Sequence, residues 1–148
     1  MPEEVAIDTT VLVGANIVQT PERAAATPQA ARLALLQRIQ DREAAVLISE
    51  RLAAEYRKQI TTYKNEFVRL FFELVTRPDG SHVILNWRTP WGHAELARAR
   101  SCRFPYEDLH VLRTAVRDGR TTMYSEEGRV LAAHPCIRKE FDVVISAP

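Results

Sequence analysis

The amino-acid sequence predicts an α/β domain with a central, mostly parallel sheet flanked by helices. Three observations carry that prediction. Short apolar runs without polar alternation, such as "AVLI" at 45–48, are the pattern of strands covered on both faces. Segments of helical period separate these runs, and strands joined by helices of that length pair in parallel through right-handed crossovers. The chain has 148 residues and shows no internal repeat, low-complexity tract or linker, so residues 1–148 are expected to form a single domain.

The elements follow in order. The first strand is the apolar stretch at 5–7, followed at once by Asp8. A helix is predicted over 27–43, with Thr27 as N-cap, Pro28 in the first helical position, and Ala31, Leu35 and Ile39 at helical spacing. The second strand is 45–48, after which Ser49 caps a helix carrying Leu52, Glu55 and Tyr56. Over 65–75, Phe67, Leu70, Phe71 and Leu74 form one stripe of a helix that ends before a turn at 77–80. The segment 81–87 fits either type and stays open. Thr89 and Pro90 open a helix predicted over 89–101. Another spans 107–119, aligning Leu109, Leu112 and Val116, with Gly119 as its C-terminal cap. The β-branched run 121–124 reads as a strand, 126–133 as a short helix and 141–146 as the closing strand.

Composition narrows the function classes. Apolar residues make up 46% of the chain, an ordinary value for a globular protein, and no apolar run approaches the roughly 18–20 residues of a membrane span. The acidic start "MPEEVAID" is unlike a signal peptide. Cys102 and Cys136 give neither a disulfide framework nor a CxxC pair, so the expected setting is reduced and cytoplasmic. A net charge of +1 leaves any nucleic-acid contact to a local basic patch.

The acids then fall into a pattern. Asp8 follows the first strand. Ser49 follows the second, with Glu55 on the helix behind it. Asp108 starts a helix, and Ser125, Glu126 and Glu127 follow the 121–124 strand. In open parallel sheets the ligand crevice lies beyond the carboxyl ends of the strands, at the switch in strand order. Four acidic positions are therefore expected to converge on one sheet edge. Crowded carboxylates raise one another's pKa unless a cation sits among them, and such oxygen-rich groups suit Mg²⁺ or Mn²⁺.

With these residues in place, the chain resembles a known family. The stretches "AIDTTVLV", "ISERLAAEYRKQ", "EDLHVLRTAV" and "MYSEEGRVL" stand in the order and approximate spacing of a PIN domain, of which the VapC-type toxin ribonucleases are the best-known members. The resemblance runs from Val5 to the final "VVISAP". Asp8-Thr9-Thr10 matches the first motif, Ser49 and Glu55 the second, Asp108 with Ala115 the third, and Ser125-Glu126-Glu127 the last. Thr10 stands where the family has an amide. Glu127 replaces an Asp, and its extra methylene moves the carboxylate outward by about 1.3–1.5 Å. A metal position built for Asp is then expected to shift or become water-mediated.

The resemblance implies Mg²⁺- or Mn²⁺-dependent hydrolysis of phosphodiesters in single-stranded RNA. Asp8 and Asp108 are expected to hold the ion, Glu55 to complete or orient its ligand set, and Ser125 and Glu127 to position water or a second ion. Thr9 and Ser49 are expected to orient carboxylates, with Glu126 also in support. A homodimer and an inhibitory antitoxin protein are the partners implied. The alternative is a PIN-like domain whose altered motif leaves it a nucleic-acid-binding or assembly module without turnover.

Structural readings stand beside each residue. Asp8 and Asp108 suit helix caps, Glu55 a solvent-facing helix position, and Glu126 and Glu127 a first turn favoured by the helix dipole. A phosphatase with an aspartate nucleophile wants a second acid where Thr10 stands. His82, His93, His110 and His134 lack zinc spacing and read as surface or core residues. Arg88, Arg98, Arg100 and Arg103 read either as phosphate contacts or as a solvated basic face, and Trp87 and Trp91 as a core pair or a dimer surface.

Overall fold

The computed structural model describes residues 2–86 and 91–148. Five strands form one sheet: β1 (Glu3–Ile7), β2 (Ala44–Ile48), β3 (Val83–Leu85), β4 (Thr121–Tyr124) and β5 (Val143–Ser146). Their order is β3-β2-β1-β4-β5, and every neighbouring pair is parallel. Between them lie α1 (Thr9–Ala15), α2 (Pro21–Ala25), α3 (Gln29–Gln40), α4 (Glu50–Gln59), α5 (Glu66–Val75), α6 (His93–Ser101), α7 (Leu109–Ala115), α8 (Gly128–Ala132) and α9 (His134–Phe141). None of the helices is long and apolar enough to cross a membrane, among the described residues.

Burial explains the order. All five residues of β2 are buried, as are Val5, Ala6 and Ile7 of β1, so these strands are covered on both faces. β4 and β5 bury alternate residues, Thr121 with Met123 and Val143 with Ile145. α7 packs against β1, β2 and β4, while α3 packs on β2 and is backed by α1 and α5. The chain steps from β1 outward to β3, then returns to place β4 on the other side of β1. That return makes the β1/β4 junction the switch point of the sheet.

Several boundaries differ from expectation, each for a local reason. The helix predicted over 27–43 is shorter: α3 begins at Gln29, Pro28 takes the cap position, and Thr27 caps nothing. A separate short α2, capped by the Thr20 hydroxyl through the Arg23 amide, precedes it. On α5 the buried face is Val68, Phe71, Phe72 and Val75, so the stripe is turned from the one predicted, with Phe67 and Leu74 packed at its margin. The open segment becomes the three-residue β3, started by Asp79, whose carboxylate accepts from the amides of Ser81, His82 and Val83. The 107–119 helix shrinks to a 3₁₀ turn (Tyr106–Asp108) and α7, because Val116 turns extended. Gly119, at φ 139°, serves the turn into β4 instead.

α9 was not foreseen, and it covers β5. Trp91 stacks on its Phe141 at 5.2 Å, which makes Trp91 part of the core margin. Trp87, Arg88, Thr89 and Pro90 lie outside the described residues, and α6 starts at His93 behind Gly92. Cys102 and Cys136 are joined in a disulfide that links the end of α6 to α9, in place of the reduced state expected. Cysteines 34 residues apart leave no spacing signature in the chain.

One polar clamp fixes the front of the sheet. Arg32 on α3 grips Glu126 through two bonds of 2.6 and 2.5 Å, and also donates to the Gly14 carbonyl and the Gln29 side chain. It lies across α1 at Gly14, where a Cβ would come within 2.6 Å of the Arg32 guanidinium carbon. Gly14→Ala should therefore destabilise by about 1–2 kcal/mol, although Ala normally gains up to about 1 kcal/mol over Gly inside a helix. In an Arg32→Ala background the same substitution should become neutral or stabilising. Urea melts of the four chains measure the change of sign.

Candidate active site

The site begins where β1 and β4 end. Ile7 is paired with Tyr124, so Asp8 and Ser125 emerge side by side at the switch point. The Asp8 amide donates to the Tyr124 carbonyl at 2.8 Å. The Ser125 hydroxyl donates to Asp8 Oδ2 at 2.7 Å, and the Thr10 hydroxyl donates to the same oxygen at 3.2 Å. Asp8 is only 2% exposed. Although it stands at the N-cap position of α1, its side chain makes no capping bond. The helix-cap reading of Asp8 thus fails on geometry.

Burial pushes the Asp8 carboxyl above its usual range; the Ser125 and Thr10 bonds oppose that rise, and the Glu55 charge adds to it. Behind it, the buried Tyr56 hydroxyl donates to the Ile7 carbonyl. Burial, with the charges of Asp8 and Glu55, raises the Tyr56 phenol well above its ordinary value. It is a fixed neutral donor at the end of β1.

Asp108 is the second free acid. It closes the 3₁₀ turn and occupies the N-cap position of α7, again without a capping bond. Its pKa is pushed up to about 6, first by burial and then by the charges of Asp8, Glu107 and Glu127, with His110 pulling it down. The structure therefore brings Asp8 and Asp108 into one electrostatic field, with Glu55 acting on the first and Glu127 on the second.

The other expected residues divide differently. Glu55 is only partly exposed and meets His110 Nε2 through Oε2, so it is not the free solvent-facing acid of a plain helix surface. His110, which the sequence reads as a surface or core residue, thus joins the candidate site through Glu55. Glu127 does cap a helix: Oε2 accepts from the Val130 amide at 3.1 Å, while Oε1 receives Arg129 Nε at 3.4 Å. Arg129 also holds Glu107 at 2.5 Å. Glu126 is bound by Arg32, which turns it to the clamp rather than to the crevice.

Two supporting hydroxyls also move. Ser49 caps α4 through the Leu52 amide and bonds the Thr114 hydroxyl at 2.8 Å, touching no carboxylate. The Thr9 hydroxyl is buried without a partner; the hydroxyl on Asp8 is that of Thr10, the residue in the family's amide position. Thr10 also accepts from the Glu126 amide at 3.2 Å, so it joins the two loops. Arg98 is held by Glu140 and lies over Phe141, whereas Arg100 and Arg103 are exposed. His82 and His134 are bonded to backbone, the first to the Ile39 carbonyl and the second to the Ile145 amide.

Among the described residues no three His, Cys, Asp or Glu side chains are drawn together as a ready-made metal ligand group. The donor chemistry still fits Mg²⁺ or Mn²⁺. Magnesium is commonly held by one or two carboxylates and completed by water and phosphate, and Asp8 with Asp108 is such a pair. Their raised pKa values mark two carboxylates that a cation would favour over protons. No protein-family model, curated protein or solved structure matches this chain.

The pH dependence follows from Asp108. With a folded pKa of about 6 against the ordinary 3.8, the native state binds the extra proton between those values. Ionisation thus removes stability as pH rises through that window, and the loss is complete above it. Asp108→Asn should melt several degrees higher than the native sequence at pH 7.5 without divalent ions, and the difference should vanish below pH 4. Calorimetric melts of both proteins across pH 3.5–8 give the comparison.

Proposed function

We propose that this chain is a divalent-metal-dependent nuclease of the PIN type, acting on single-stranded RNA. The observation that carries the reading is the pair Asp8, at the switch point, and Asp108, within its electrostatic reach: among the described residues neither caps a helix or is paired with a cation. A stable fold gains nothing from leaving two acids to repel each other. Such groups are where proteins place ligand chemistry. The choice of RNA rests on the motif resemblance.

In this reading Asp8 and Asp108 hold the ion, with Glu55 alongside. The bound metal supplies an acidified water and neutralises charge on the phosphate oxygens. Ser125 and Thr10 both bond Asp8 Oδ2 and so set its orientation, leaving Oδ1 outside those two bonds. Tyr56 holds the backbone just before Asp8. Arg32, through Glu126, keeps the Ser125 loop against α1, so the carboxylate cannot swing with a mobile loop.

A second reading has its own observation. Glu127, the fourth acid of the motif, spends both oxygens on a helix cap and on Arg129. That favours a PIN-like module that binds nucleic acid without turning it over. The two readings part on one assay with a labelled single-stranded RNA. The nuclease reading expects cleavage with Mn²⁺, abolished by chelator, and reduced by on the order of a hundredfold or more in Asp8→Ala and Asp108→Ala. RNA bound by the native sequence without cleavage supports the second reading. Cleavage unchanged in Asp8→Ala overturns the first.

A further inference from the structure

We infer that His110 is a positioning residue, which fixes the Glu55 carboxylate so that one oxygen is held by the imidazole and the other is left for a cation; the inference rests on the metal-dependent reading above. A carboxylate accepts only, so the ring nitrogen that meets it, Nε2, carries the hydrogen. Glu55 Oε1 has no hydrogen-bond partner among the described residues. The His110 side chain is 9% exposed, and its Nδ1 is buried with no hydrogen-bond partner among the described residues.

That unpartnered nitrogen separates a positioning role from simple packing. A histidine serving only as core filler gains nothing over an apolar ring of the same size, yet here it buries a polar atom unsatisfied. The return is the contact to Glu55. Glu55 sits on α4 and His110 on α7, two helices that pack together. One turn beyond His110, the Thr114 hydroxyl donates to the His110 carbonyl at 2.7 Å and bonds Ser49, the cap of α4. The two helices are thus pinned at two neighbouring levels, and the imidazole is held while it holds the carboxylate. Glutamate has one more rotatable bond than aspartate, so a metal-binding Glu gains most from such a partner.

The test measures Mn²⁺ affinity by the electron paramagnetic resonance signal of the free ion, with thermal melts confirming that each chain is folded. His110→Phe keeps the ring volume without the donor; His110→Gln returns an N–H at similar reach. The expected result is a 10–100-fold loss of affinity in His110→Phe, with His110→Gln within about threefold of the native sequence. In a Glu55→Gln background His110→Phe should cost nothing further, because its effect passes through Glu55. Native affinity in His110→Phe, or an equal loss in both backgrounds, overturns the inference while leaving the metal site standing. A native chain that binds no Mn²⁺ at millimolar concentration overturns the metal reading, and the inference with it. If His110→Phe does not fold, His110→Gln decides: retained affinity supports the role, and a loss of about tenfold or more refutes it.

Discussion

The hydrogen bond from Ser125 to Asp8 is the contact on which the front of this molecule depends. It joins the carboxyl ends of the two central strands where the chain reverses its direction of travel across the sheet. A carboxylate there, 2% exposed, carries a desolvation cost of several kcal/mol. The surroundings offset that cost only in part. Ser125 and Thr10 donate to a single oxygen, and among the described residues no guanidinium or ammonium is paired with it. The charge remains poorly solvated, as the raised pKa records.

The acids around the crevice separate by what each already does. Glu126 is neutralised by Arg32, and Glu127 by a helix end and Arg129. Glu107 shares Arg129, while Glu55 has the imidazole. Each of these four is held by a partner already in place. Asp8 and Asp108 have none of that, and each raises the free energy of the folded state at neutral pH. A ligand that binds only the native state and carries positive charge returns that free energy on binding. The cost to the folded state is thus concentrated at two identifiable positions.

Much of the fold was readable because a parallel sheet buried on both faces writes continuous apolar runs. The strands at 5–7 and 45–48 are such runs, and the β-branched run at 121–124 gave β4. The run at 141–146 gave β5 from Val143, because Phe141 ends α9, and Ser49 announced α4 by its capping chemistry. β3 escaped because three residues started by an Asp79 turn carry too little pattern. α9 escaped because its sequence, "HPCIRKEF", buries only Ile137 and Phe141 against β5, too few apolar positions to write a helical period. Motif order also picked out Asp8, Asp108, Glu55 and Ser125, of which Ser125 bonds Asp8 while the Glu55 charge acts on Asp8 and the Asp8 charge on Asp108. Whether an acid after a strand is free or capped is a matter of side-chain direction, which residue type does not encode. Hence Glu127 and Glu126 were read as site acids, and His110 as a bystander. The one available signal for His110 was its place two residues beyond Asp108.

The loop at 125–127 shows why three adjacent residues are so constrained. Ser125 bonds the carboxylate of Asp8, Glu126 the guanidinium of Arg32, and Glu127 the first turn of α8. The Glu127 amide also donates to the Ser125 hydroxyl, so the serine that orients Asp8 is itself held by the next but one residue. Asp is a better helix cap than Glu because its short side chain reaches the third amide without bending back. Glu manages it here with Arg129 on its other oxygen, and Arg129 spans to Glu107 beside Asp108. A single guanidinium therefore ties the cap of α8 to the 3₁₀ turn before α7. That bridge sets an electrostatic limit: it lowers the negative field at the rim while leaving the inner pair, Asp8 and Asp108, unneutralised. Charge at this site is concentrated inward, at the end of β1, where the sheet topology alone puts it.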